Sequence, residues 1–151
     1  MTVDVVFYFG DPAERNSLYQ LKQWVQPLER LQKFCNVRVV CANSEAFRFV
    51  SENTELTAIE YPGMKASKRF IRDLNPKVVL YPNQFYLNFS VWGYSKAFHV
   101  FVSHGESDKS YMSQNGLRYF DYVYVAGEVA ANRIRTNIGT IEDSRLIPVG
   151  R

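Results

Sequence analysis

A series of short, near-continuous runs of apolar, β-branched and aromatic residues constrains this chain more than any other feature. The runs are Val3 to Phe9, Val37 to Cys41, Val78 to Tyr81, Phe98 to Ser103 and Tyr122 to Ala126. A weaker one covers Thr57 to Tyr61, and a short last one Leu146 to Val149. A strand that faces water on one side alternates apolar with polar residues, whereas these runs ask to be covered on both faces. The segments between them carry helical spacing: Leu18, Leu21, Val25, Leu28 and Leu31 after the first, and Ala46, Phe47 and Val50 behind Asn43-Ser44 after the second. Apolar strands alternating with helices predict an α/β domain with a doubly wound, mostly parallel, Rossmann-like sheet, spanning residues 1–151 as one unit.

Local punctuation sharpens the elements. Gly10 ends the first strand, and Asp11-Pro12-Ala13-Glu14 has the spacing of a capping box with proline at the first helical position. Pro27 is expected to kink or split the helix that follows. Lys65 to Leu74 reads as a basic helix stopped by Asn75-Pro76. Asn83 to Lys96 fits two patterns: Phe85, Phe89 and Trp92 share a helical face, while Phe85, Leu87, Phe89 and Val91 alternate. Its length and the alternation of elements favour helix. Lys109 to Leu117 and, after Gly127, Glu128 to Ile138 are also expected to be helical.

The composition excludes several classes. A hydrophobic share of 46% with 22% charged residues belongs to a folded globular chain. A net charge of +3 is too mild for a nucleic-acid footprint. No apolar stretch reaches the length of a membrane span. The first apolar run has no basic flank and is interrupted by Asp4, so it reads as a strand and not a signal peptide. Cys35 and Cys41 bracket an extended run whose six-residue step spans roughly 20 Å, too far for a disulfide with each other. Both read as reduced packing residues of a cytoplasmic protein. G-x-G-x-x-G, P-loop and G-x-S-x-G motifs and metal-type His/Cys spacing are all missing, which disfavours a nicotinamide oxidoreductase.

The chemistry concentrates where Phe98-His99-Val100-Phe101-Val102 empties into Ser103-His104-Gly105-Glu106-Ser107-Asp108-Lys109. Open α/β sheets bind ligands at the carboxyl ends of their strands. His104 is delivered to that edge, where a neutral imidazole can take a proton from an attacking hydroxyl. The alternative is a ring that only ties the loop to backbone carbonyls. Gly105 permits a tight turn, and Ser107 or Asp108 can cap the next helix. Lys109 can offset one of the acidic pair Glu106 and Asp108, whose simplest role is structural; Glu106 can also orient His104. The same pair would ligate Mg²⁺ if any were used, though nothing in the sequence calls for it and no bound cofactor is expected. Gly10 and Asn83, following the first and fourth strands, complete the substrate-binding candidates. His99 starts its strand at the opposite edge and reads as a hydrogen-bonded structural histidine.

The residues F-V-S-H-G-E-S-D-K (Phe101 to Lys109), D-Y-V-Y-V-A-G-E-V-A-A-N-R (Asp121 to Arg133) and I-P-V-G-R (Ile147 to Arg151) together resemble the CDP-glycerol glycerophosphotransferase family. That family builds teichoic-acid-type cell-surface polymers on a two-domain GT-B fold. The resemblance is strongest over Val100 to Arg151 and only architectural over the first eighty or so residues. It implies a transferase in which His104 is the catalytic base, deprotonating an acceptor hydroxyl that attacks the phosphate next to glycerol in CDP-glycerol and releases CMP. It also implies a C-terminal donor-binding domain beyond this chain, without which the chain would fold but not turn over. Glu106 departs from family members that carry a neutral residue after His-Gly.

The acceptor would be a polyol-phosphate or glycan polymer or its lipid-linked precursor. Lys65, Lys68, Arg69 and Arg72 would then offer peripheral contact with anionic headgroups at the inner face of the cell membrane, against the plainer reading of a solvated helix face. Two other readings compete: half of a GT-B glycosyltransferase using a nucleotide sugar, and a non-catalytic Rossmann-like module that binds a phosphorylated ligand.

Overall fold

In a computed structural model of the chain, the description covers residues 2–61, 63–86, 88, 91–92, 96–104 and 114–150, with backbone only for 64–68. The strands are β1 (Val5–Phe9), β2 (Val37–Cys41), β3 (Ala58–Glu60), β4 (Val78–Tyr81), β5 (Phe98–Phe101), β6 (Tyr122–Val125) and β7 (Leu146–Pro148). They form one seven-stranded sheet in the order β3-β2-β1-β4-β5-β6-β7, with every pair parallel. The helices are α1 (Leu18–Leu31), α2 (Ser44–Asn53), α3 (Met64–Leu74) and α4 (Glu128–Ile138). This is the doubly wound α/β architecture that the apolar runs predict.

Successive residues of a strand point to opposite faces, so each run feeds two cores. Phe7, Phe9, Val39, Leu80 and Val100 pack with Leu21 and Leu28 of α1 and Ala46 and Val50 of α2. On the other face Tyr8, Val40, Tyr81, Phe101 and Val123 pack with Ile71 of α3 and Ala130, Ile134 and Ile138 of α4. Cys41 is buried in the first of these cores, where desolvation pushes its thiol up to about 12; Cys35 and Cys41 are both free.

Three local expectations are corrected. Asp11 caps no helix. Ala13–Arg15 form a single 3-10 turn, Asn16 breaks the run in the left-handed region (φ 48°), and α1 begins only at Leu18. The reason is a competing partner, since the buried Asp11 carboxylate accepts a hydrogen bond from Asn83, far along the chain. Pro27 does not split α1, which runs unbroken from Leu18 to Leu31. The described residues of 83–96 form no α-helix: Asn88 N–H donates to Phe85 C=O and Val91 N–H to Asn88 C=O, both three-residue steps. The Asn83 and Asn88 side chains turn inward there and bond to each other. Of the helix expected at Lys109 to Leu117, residues 109–113 lie outside the described residues, and Asn115–Tyr119 is a 3-10 helix. Other ends match closely; α3 stops at Asn75 in the left-handed region (φ 45°), just before Pro76.

His99, at the amino-end side of β5, is a buried structural residue. Its Nδ1 lies 2.7 Å from the Tyr81 hydroxyl, its backbone N–H donates to the Asp121 carboxylate, and its ring stacks on Tyr81. Burial pulls its pKa below the ordinary histidine value, against the opposing charge of Asp121. The folded state therefore holds the ring neutral where the unfolded chain, with a pKa of about 6.5, begins to protonate. Stability from this site is complete above that value and is lost as pH falls through it toward the lowered folded pKa. A series of thermal melts between about pH 7.5 and 5 should show this loss, and His99→Gln should flatten it.

Candidate functional site

The strand order reverses between β1 and β4: the chain steps outward through β2 and β3, then returns to build β4 to β7 on the other side. Adjacent loops diverge there and leave a crevice at the strands' carboxyl ends. Gly10 and Asp11 leave β1 at this edge, Pro82 and Asn83 leave β4, and Val102, Ser103 and His104 leave β5. Apart from His99, the buried polar residues of the described chain are Asp11, Ser17, Gln20, Asn83, Asn88 and Ser103. They gather at this edge. A buried polar group costs free energy unless it is bonded, so the concentration marks a site that the fold keeps polar.

Asn83 is the centre of this cluster. Its Nδ2 donates to Asp11 Oδ1 (3.0 Å) and to Gln20 Oε1 (2.7 Å), while its Oδ1 accepts from Phe85 N–H (3.0 Å) and from Asn88 Nδ2 (2.7 Å). Both donors and both lone pairs of the amide are thus used within the protein. Asp11 also has the Arg15 guanidinium 3.5 Å from Oδ2, and its backbone carbonyl accepts from Asn43, whose own Oδ1 caps α2 at Ala46. Arg15 in turn lies 4.3 Å over the Phe85 ring. Gly10 is required by this arrangement: a Cβ there would sit 2.3 Å from Asn88 Oδ1 and 2.9 Å from Tyr8 Cε1.

His104 is half-buried, and its Nδ1 is 2.8 Å from the Pro82 carbonyl oxygen. A carbonyl can only accept, so the neutral ring carries its proton on Nδ1 and its basic lone pair on Nε2, on the far side of the imidazole. The Tyr19 ring meets His104 edge to face at 5.9 Å. Just before it, Ser103 holds a left-handed conformation (φ 62°), which costs a non-glycine residue roughly 1–2 kcal/mol. Trp24 Nε1 fixes this turn by donating to the Ser103 carbonyl at 2.6 Å. Gln20 and Trp24 are one turn apart on α1, and reach the loops after β4 and β5 respectively. Trp24→Phe should cost about 1–3 kcal/mol by leaving the Ser103 carbonyl without its indole donor; chemical denaturation measures it.

Beside Ser103 opens an apolar pocket of about 640 Å³ between Trp24 and Pro27 of α1, Val102, Tyr124 at β6, and Ala130 and Ile134 of α4. Among the described residues no cluster of three or more His, Cys, Asp or Glu side chains is placed to hold a metal ion. No helix of the described chain is long and apolar enough to cross a membrane.

Of the candidates expected from sequence, His104, Gly10 and Asn83 meet at this one edge. Gly105, Glu106, Ser107, Asp108 and Lys109 lie outside the described residues. Sequence reasoning missed Gln20, Trp24, Tyr19 and Asn88 and misassigned Asp11. The available signal was a polar amide on an otherwise apolar face, Gln20 between Leu18 and Leu21 and Asn88 among aromatics.

The sheet and its helices match one Rossmann-like half of a GT-B fold. The chain is similar to a protein assigned as a UDP-N-acetylglucosamine 2-epimerase from Listeria monocytogenes, with a TM-score of 0.65 and 12% identity over 97% of this chain and 44% of that one. It is also similar to the lipopolysaccharide outer core galactosyltransferase WaaB in its apo form, with a TM-score of 0.62 and 10% identity over 99% of this chain and 46% of that one. The chain thus spans less than half the length of either structure. No family model and no curated protein matches it.

Proposed function

We propose that this chain is the acceptor-side half of a GT-B transferase that moves glycerol phosphate from CDP-glycerol to an acceptor hydroxyl, with His104 as general base. The observation that carries the reading is the Nδ1–H bond from His104 to the Pro82 carbonyl, which leaves Nε2 as the basic nitrogen at the switch point. Nε2 takes the acceptor's proton as its oxygen attacks the phosphorus next to glycerol. The bond from that phosphorus to the bridging oxygen breaks, and CMP leaves with the electron pair. Such a transfer asks for positioning and charge stabilisation more than covalent catalysis. The base lies on this lobe, and the donor's diphosphate belongs to a second lobe whose closure would complete the site. The apolar pocket is lined by Ser103, the residue before the base, and not by His104 itself; in this reading it would take an apolar part of the acceptor.

The motif block from Phe101 to Lys109 favours CDP-glycerol as donor, while the names of the structural neighbours, one a UDP-N-acetylglucosamine epimerase and the other a galactosyltransferase, favour a sugar substrate. The full-length protein separates the two. Offered CDP-glycerol and UDP-N-acetylglucosamine in parallel, it should release CMP in an acceptor-dependent manner and no UDP; the reverse result replaces the donor.

The reaction would take place at the inner membrane face, with α3 touching anionic headgroups. Arg69 and Arg72 are well exposed, and each lies beside the exposed Asp73, at 3.5 and 3.9 Å respectively. Lys65 and Lys68 are on the same helix, with side chains outside the description. Reversing the charge of Arg69 and Arg72 should weaken sedimentation with anionic vesicles by at least about thirtyfold, since two basic residues near the surface supply about 1 kcal/mol each and reversal adds repulsion. Unchanged sedimentation would leave this a solvated face.

A further inference from the structure

We propose that Asn83 is a positioning residue that sets the tautomer and orientation of His104, and that it does so without touching substrate. Two separate arms lead from it to the histidine ring. The first is covalent: Asn83 follows Pro82, whose carbonyl accepts the His104 Nδ1 proton at 2.8 Å. The direction of that carbonyl is set by the peptide it shares with Asn83. That peptide is held by the two hydrogen bonds the Asn83 side-chain amide donates to Asp11 and Gln20, the two it accepts from Phe85 and Asn88, and a further one that Asn88 Nδ2 donates to the Asn83 backbone carbonyl at 3.0 Å. The second arm passes through side chains. Gln20 accepts from Asn83 through Oε1 and donates through Nε2 to the Tyr19 hydroxyl at 3.3 Å. The Tyr19 ring then stands at 81° to His104 in a T-shaped contact, with ring centres 5.9 Å apart.

The two arms have different consequences. The Pro82 carbonyl decides which nitrogen carries the proton, because only an N–H can satisfy it. Tyr19 limits how far the ring can swing about that bond. Together they keep Nε2 as the lone-pair nitrogen in one direction, as a general base requires. Asn83 is 5% exposed and its amide has no hydrogen-bonding capacity left. It is therefore placed to orient, and not to bind. The importance of this for turnover rests on His104 being the base; the positioning itself, and its test, do not.

The test is the ¹⁵N spectrum of the histidine-labelled 151-residue chain at about pH 8.5, where an ordinary imidazole is neutral. The unsubstituted chain should show widely separated ring nitrogens for His104, with the proton on Nδ1. A proton on Nε2 there overturns the proposal before any variant is made. In Asn83→Ala the two His104 resonances should converge as the second tautomer appears. His99, held by Tyr81 at the other end of β5, should keep its resonances and report an intact fold. An Asn83→Ala protein with His99 and His104 both unmoved overturns the proposal. Should that variant fail to fold, Gln20→Leu cuts the Tyr19 arm while leaving Asn88 and Phe85 on Asn83. The tautomer should hold there, because the Pro82 carbonyl stays in place, while the ring-to-ring NOEs between Tyr19 and His104 should weaken; unchanged NOEs in the folded variant overturn the proposal. If His104 later proves dispensable for CMP release while this spectrum behaves as described, the base assignment fails and the positioning stands.

Discussion

His104→Ala in the full-length protein should lower kcat about 10²–10⁴-fold, the usual contribution of a positioned general base. KM for the donor should hold if, as proposed, the donor's nucleotide is bound by a second lobe. Thermal stability should fall by no more than about 1–3 kcal/mol, the cost of taking a donor from the carbonyl of the buried Pro82. This pattern separates a chemical role from a structural one. A variant whose loss of activity disappears when rates are expressed per folded molecule would show a ring that only ties the β5 loop to Pro82. One that keeps wild-type kcat would remove the assignment altogether.

The second large effect is on the fold. Gly10→Ala should destabilise the chain by about 3 kcal/mol, the upper part of the usual range for overpacking. That corresponds to roughly 10 °C in melting temperature for a chain of this size. The new methyl would lie 2.3 Å from Asn88 Oδ1 and 2.9 Å from Tyr8 Cε1. A side-chain oxygen can often swing aside, but Asn88 is buried and held through Nδ2 by two acceptors on Asn83. Tyr8 is fully buried and packs against Tyr61 and Tyr81. Neither has somewhere to go. Asn88→Gly in the same chain should recover part of the loss, and the coupling in a double-mutant cycle should exceed about 0.5 kcal/mol, the level at which independent sites cease to add. Additive effects would mean that the close approach at Gly10 does not set its cost.

The fold was legible because its cause is local and repeated. Strands buried on both faces must be apolar throughout, and Val5–Phe9, Val37–Cys41 and Val78–Tyr81 show this in every residue but Arg38. The site was legible in part for the same reason, since a histidine placed just past β5 can only arrive at the carboxyl edge. What escaped were side chains whose partners lie far away in sequence. Asp11 carries every local mark of a cap, with proline and glutamate in the right places, yet its carboxylate is claimed by Asn83. The same competition accounts for the lack of an α-helix among the described residues after Asn83. Local preferences of Asp and Asn are weak next to a buried bond, because leaving one unmade costs about 1–3 kcal/mol. The tautomer of His104 depends on the Pro82 carbonyl, and nothing in the sequence could have assigned it.

The role of His104 is tested most directly with alcohols of decreasing hydroxyl pKa offered as acceptors to the full-length protein and to His104→Ala. A general base matters most when the hydroxyl holds its proton tightly. The ratio of wild-type to variant kcat for CMP release should therefore be largest for the most basic alcohol and narrow steadily toward the most acidic. A ratio that stays constant along the series would show that His104 does not take the proton, and would contradict the account.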